Sequence, residues 1–131
     1  MALGLQMMAQ QTGKPHHERK HREVMELVDD LSAAQKRKVE AISKESRERM
    51  ATLRAQQKAV HDSIATFMNI EGDQSATLYP LFEREAALQT AVSKEMYSTK
   101  LRIDEVLTRE QRSNLRQALH KEKHRKKTAK E

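Results

Sequence analysis

The chain is expected to be all-α, with four helices, and three observations carry that expectation. Across 131 residues there are only three Gly and two Pro, while Ala, Glu, Lys, Arg, Gln and Leu, the strong helix formers, dominate. Two long segments place apolar residues at steps of three and four, the repeat of one helix face. A short pattern, Leu-[Ser/Thr]-x-x-Gln, occurs twice, at Leu31 to Gln35 and at Leu107 to Gln111, and each copy is a helix-start signal. Two long helices joined by a short turn pack as an antiparallel hairpin, with short first and last helices folding back at its open end.

Residues 1–22 carry no sustained periodicity. Their apolar start, Ala2 to Met8, resembles the tail of a secretory signal peptide with cleavage after Ala9, and the rest is a disordered, basic, His-rich leader. The helical domain is expected over 23–122. Its first helix runs from Glu23 to Asp29 with Val24, Met25, Leu27 and Val28 as apolar residues. The second starts at the cap Ser32 and reaches Asn69, on the stripe Val39, Ile42, Ser46, Met50, Leu53, Gln57, Val60, Ile64, Phe67. Gly72 and Asp73 mark the turn. The third is carried by Leu78, Leu81, Leu88, Val92, Met96, Ile103 and Val106. Thr77 is its expected cap, which leaves Pro80 in the first turn where a missing N–H is harmless; a start at Ser75 would place Pro80 inside the helix. The fourth starts at Thr108 and keeps Leu115, Ala118 and Leu119 on one side. Residues 123–131 are too polar to dock and read as a basic disordered tail.

The two boxes have a shared mechanism. The Ser32 or Thr108 hydroxyl accepts from the backbone N–H three residues on, and the Gln35 or Gln111 side chain reaches back to the cap residue's own N–H. The position that would staple onto the preceding Leu is Lys36 in one copy and Arg112 in the other, so Leu31 and Leu107 are expected to pack inward against other helices instead.

At these residues the chain resembles the Spy/CpxP family of small periplasmic helical proteins, whose signature is an early and a late Leu-Thr-x-x-Gln motif. Leu107, Thr108 and Gln111 match in full; Leu31 and Gln35 match with Ser32 in place of Thr. The similarity runs from about Val24 to about His124. It implies an antiparallel, cradle-shaped homodimer, although periodicity alone equally allows an ordinary coiled-coil dimer. The family includes ATP-independent chaperones and envelope-stress regulators, with metal-binding relatives in zinc resistance and nickel/cobalt sensing.

Composition bounds the function. With 34% charged and 37% hydrophobic residues the chain is a single thin, elongated domain. No apolar run approaches the roughly 20 residues needed to span a bilayer, so no membrane insertion is expected. Zero cysteines exclude disulfides, thiolate catalysis and Cys-based zinc sites. Carboxylates and histidines are scattered at helical spacings without a phosphate loop, nucleophile elbow or HExxH, so no enzyme is expected. The net charge of +6 gathers near the ends, Lys14 to Arg22 and Arg116 to Lys130. Such runs bind anions, but two tyrosines and no tryptophan give little stacking surface, so nucleic acid is not the expected partner.

The resulting expectation is a periplasmic, ATP-independent chaperone or envelope-stress protein that holds unfolded or partly folded proteins as a homodimer. Met50 and Met96 suit promiscuous contact, and Arg47, Arg54 and Arg102 add adjustable charge. Met50, Leu53, Val60, Val92 and Met96 are expected to stay partly wet in a monomer. The alternative is a metal-binding stress sensor or resistance protein. There His16, His17, His21, His120 and His124 would hold zinc, since His17/His21 and His120/His124 are each four apart. Solvated basic segments account for these histidines more simply, so no cofactor is expected. A second alternative is a plain coiled-coil scaffold.

Overall fold

The computed structural model describes residues 24–129. They form a helical turn at 24–27 (α1) and three helices, α2 (Ala33–Met68), α3 (Ser75–Val106) and α4 (Arg109–Ala129), with no strand among them. The two long helices, α2 and α3, pack against each other as the expected hairpin. Expected and observed boundaries agree closely for α2, because its ends carry local chemistry. Ser32 caps the start with a complete capping box. At the other end the Asn69 side chain donates to the Ala65 carbonyl at 2.9 Å. Gly72 then takes φ 97°, a left-handed conformation that glycine enters without the Cβ clash.

The start of α3 differs from expectation. The Asp73 carboxylate accepts from the Ser75 N–H at 2.9 Å and from the Ser75 hydroxyl. The Gln74 carbonyl takes the N–H groups of Thr77 and Leu78 at 3.1 and 2.8 Å. The helix therefore begins at Ser75, not after Thr77, and Pro80 lies inside it. The N–H that proline lacks would have served the Ala76 carbonyl; Ala76 and Pro80 are both exposed, so water can serve it instead.

The core sits at the open end of the hairpin. Val24, Val28 and Leu31 pack with Val39 and Ile42 of α2, Ile103 and Leu107 at the end of α3, and Leu115 of α4; Met25, Leu27, Val106 and Leu119 lie against them. Both box leucines are thus inward-facing, as the polar staple positions require. Farther along the seam, Met50, Val60, Leu88 and Val92 are buried, while Leu53 and Met96 are half-buried. Met50, Val60 and Val92 do not stay wet as expected: the seam residues of the facing helix cover them. The Ser43 hydroxyl is buried in this seam without a hydrogen-bond partner.

Helix α4 continues past the expected end of order, to Ala129. Its residues 123–128 are exposed, so the tail does not dock, as its polarity implies, yet it stays helical rather than disordered. Its Lys, Arg and Glu residues are good helix formers, and Lys126 and Lys127 sit in the last turn, where the helix dipole favours positive charge. The expected leader, with His16, His17 and His21, lies outside the described residues.

Candidate functional site

The two boxes meet. The Gln35 side-chain amide donates to Gln111 Oε1 at 2.8 Å and to the Val106 carbonyl at 3.0 Å. The Gln111 amide donates to the Asp30 carbonyl, the Asp30 carboxylate and Gln35 Oε1, each at 3.3 Å. Each glutamine oxygen also accepts its own cap's backbone N–H, from Ser32 and from Thr108, both at 2.9 Å. The arrangement is pseudo-symmetric: each glutamine donates to the carbonyl two residues before the other box's cap. One further contact completes the corner. Arg112 Nη1 donates to the Asp104 and Leu107 carbonyls at 2.9 and 2.7 Å, placing a cation on the exposed carbonyl end of α3. The junction saturates its own polar groups, so its chemistry is structural.

Polar rungs cross the hairpin seam. Arg102 pairs with Glu45 at 2.8 Å and Arg49 with Glu95 at 2.8 Å. The Thr99 hydroxyl donates to the Ser46 hydroxyl at 2.9 Å, Gln57 to Gln89 at 3.2 Å, and His61 lies 4.0 Å from Glu85. The Arg102 hydrogen bond and charge, with Arg49 nearby, hold the Glu45 carboxyl below its ordinary value. The hydrogen bonds from Ser75 do the same for Asp73.

These rungs redistribute the expected client-contact residues. Met50 is 1% exposed and offers nothing to a client, a correction that follows from its place in the seam. Met96 is half-buried, Arg102 is committed to Glu45, and Arg47 and Arg54 are exposed.

The structure brings out an apolar face that the seam pattern concealed. On α3, positions 79, 82, 86, 90, 93, 97 and 101 advance by threes and fours along a stripe separate from the buried one, with Phe82 and Ala86 on the flank that faces α2. Tyr79, Phe82, Tyr97 and Leu101 are all exposed, Tyr79 at 65% and Tyr97 at 61%. Tyr79 and Phe82 contact each other, ring centroids 6.4 Å apart. The signal was present in the sequence but diluted by Ala86, Thr90 and Ser93, while the stronger leucine and valine stripe dominated the periodicity. Met68 and Ile70, near the hairpin turn, are exposed as well. Phe82 also lines an open groove of about 590 Å³ between the long helices, with Gln57, Lys58, His61, Glu85, Ala86 and Gln89.

His120 and His124 lie one turn apart on α4 with ring centroids 6.2 Å apart and the rings tilted by 35°; both are exposed. Among the described residues no three His, Cys, Asp or Glu side chains gather where a metal ion could be held. No helix among these residues is long and apolar enough to cross a membrane. Set against known families, characterised proteins and solved structures, the chain matches none.

Proposed function

We propose that this chain is a non-enzymatic, ATP-independent chaperone or envelope-stress protein of the Spy/CpxP type, working in the periplasm as a homodimer. Its clients are unfolded or partly folded proteins. The observation that carries this reading is the outward face of α3: Tyr79, Phe82, Tyr97 and Leu101 stand exposed on a helix whose other side is already buried in the hairpin. Exposed large apolar side chains in a row favour a partner that covers them. Each contributes on the order of 1.5–3 kcal/mol at most when fully buried. Spread along a helix among polar residues, they suit many weak contacts with exchanging segments better than one fixed interface. The paired boxes support the family assignment, because both signature motifs act on one junction.

Suppression of aggregation of an unfolded substrate tests the reading. Substituting Tyr79, Phe82, Tyr97 and Leu101 together with Ser should raise the amount of protein needed by about tenfold, equivalent to roughly 1.4 kcal/mol, with helical content unchanged. Equal suppression by this variant would remove the α3 face from the function. No suppression by the unsubstituted protein, combined with a stable dimer, would favour the scaffold reading.

The metal-binding reading has one observation of its own, the one-turn spacing of His120 and His124. Stoichiometric zinc binding that changes the assembly state and disappears on His120→Ala with His124→Ala would support it over the chaperone reading.

A further inference from the structure

On α4 the residues Arg109, Arg116, His120, Lys123 and Lys127 fall on one side of the helix by its 3.6-residue repeat, and all are exposed. The helix's acidic residues in the described range, Glu110 and Glu122, lie on other sides. On the hairpin, Arg49, Lys58, Lys100 and Arg102 pair with carboxylates. Among the described residues no carboxylate comes within ion-pair distance of Arg109, Arg116, Lys123 or Lys127. A ridge of positive charge about 27 Å long, at 1.5 Å per residue, thus runs down α4, whose last turns extend beyond the core.

We infer that this ridge docks an extended, acidic polypeptide segment. The inference rests on the holding function proposed above and names the client feature that α4 would take. With His120 neutral, the four permanent cations Arg109, Arg116, Lys123 and Lys127 follow one another at about 10.5, 10.5 and 6 Å along the helix. An extended chain with a carboxylate at every second residue presents one about every 6.6 Å on a single side. Carboxylates at that spacing are dense enough to set one within reach of each long Arg or Lys side chain of the ridge. Duplex DNA carries a charge per about 1.7 Å, far denser than the ridge. The ridge residues include no apolar group to enter a lipid surface and no tyrosine, phenylalanine or tryptophan to stack on a base.

The test uses the full chain and a fluorescent peptide of about 20 residues alternating Glu and Ser, followed by anisotropy at low and high salt. Binding should weaken as salt rises. It should weaken about tenfold in Arg109→Gln/Arg116→Gln/Lys123→Gln/Lys127→Gln, a loss built from four exposed pairs. The same peptide with Gln for Glu should not bind. A charge-matched control, Lys36→Gln/Arg37→Gln/Arg54→Gln/Lys94→Gln, should retain the affinity; an equal loss there would reduce the effect to net charge and overturn the ridge. Tighter ridge-dependent binding of a DNA duplex, or of phosphatidylglycerol vesicles, would also overturn it. Aggregation suppression of an uncharged client is measured on the same preparations. If suppression is intact and the acidic peptide does not bind, the ridge alone falls. If suppression is absent and the peptide binds, the holding function falls and the ridge stands as an acidic-peptide site.

Discussion

Gln35 and Gln111, 76 residues apart in the chain, hydrogen-bond to each other while each closes the first turn of its own helix. One side chain therefore does two tasks: its oxygen completes a local cap, and its amide ties that helix start to the other. Gln111 is buried, so its amide has little water to fall back on. The expected consequence is energetic coupling. Gln35→Ala and Gln111→Ala should each lower stability by about 1–3 kcal/mol. The double variant should fall short of the sum by at least about 0.5 kcal/mol. Strictly additive unfolding midpoints would mean that the boxes act separately.

Met50 belongs to the seam, so substitutions there report on folding. Met50→Ala should lower stability by about 2–5 kcal/mol, and Met50→Glu should abolish the cooperative thermal transition by burying an unpaired charge. A Met50→Glu protein that keeps full helicity and its melting temperature would place Met50 on an open surface.

The unpartnered Ser43 hydroxyl predicts an unusual gain. Ser43→Ala removes a buried polar group that has no hydrogen bond in the fold and improves helix propensity, so stability should rise by about 1 kcal/mol. A loss measured by urea unfolding would reveal a partner for the hydroxyl.

Gly72 tests the turn. A Cβ there meets nothing within 4 Å, so the effect of Gly72→Ala comes from its positive φ alone and should be a loss of about 1–2 kcal/mol. An unchanged midpoint would show that the turn can rearrange at no penalty.

The Glu45 ion pairs give a pH dependence with a definite sign. The carboxyl is held below its ordinary value of 4.5, first by the hydrogen bond from Arg102. Its contribution is therefore present above that value and lost as pH falls through the lower folded one. Glu45→Gln should lower the melting temperature slightly at neutral pH and make it less sensitive to acid below pH 4.5. A variant and parent with parallel pH profiles would show the pairs to be energetically idle.

Much of the fold was legible because its causes are local. The capping chemistry of Ser32 and Thr108 and the three-and-four spacing of Val39, Ile42, Leu88, Val92 and Ile103 act within a turn or two of chain. They sufficed for an all-α hairpin with α2 nearly to the residue. The start of α3 was less legible: Pro80 favours a place in the first turn, whereas the Asp73 carboxylate, outside the helix, organises the chain from Ser75 onward. The candidate site was less legible. Met50 and Met96 are chemically alike and both lie on apolar stripes, and only the packing of α2 on α3 makes the first buried and the second half-open.

Local sequence was enough for the all-α class, for the start and end of α2, for the inward turn of the two box leucines, and for the failure of the polar residues 123–128 to dock. Those properties follow from hydrogen bonds and periodicities spanning at most a few residues. Packing between helices is what makes Gln35 and Gln111 meet, commits Arg102 to Glu45, closes the end of α3 with Arg112, and leaves Tyr79, Phe82, Tyr97 and Leu101 exposed. Each of these depends on how one helix is rotated about its axis against another. That rotation is set by the whole buried face at once, and no single stretch of sequence contains it.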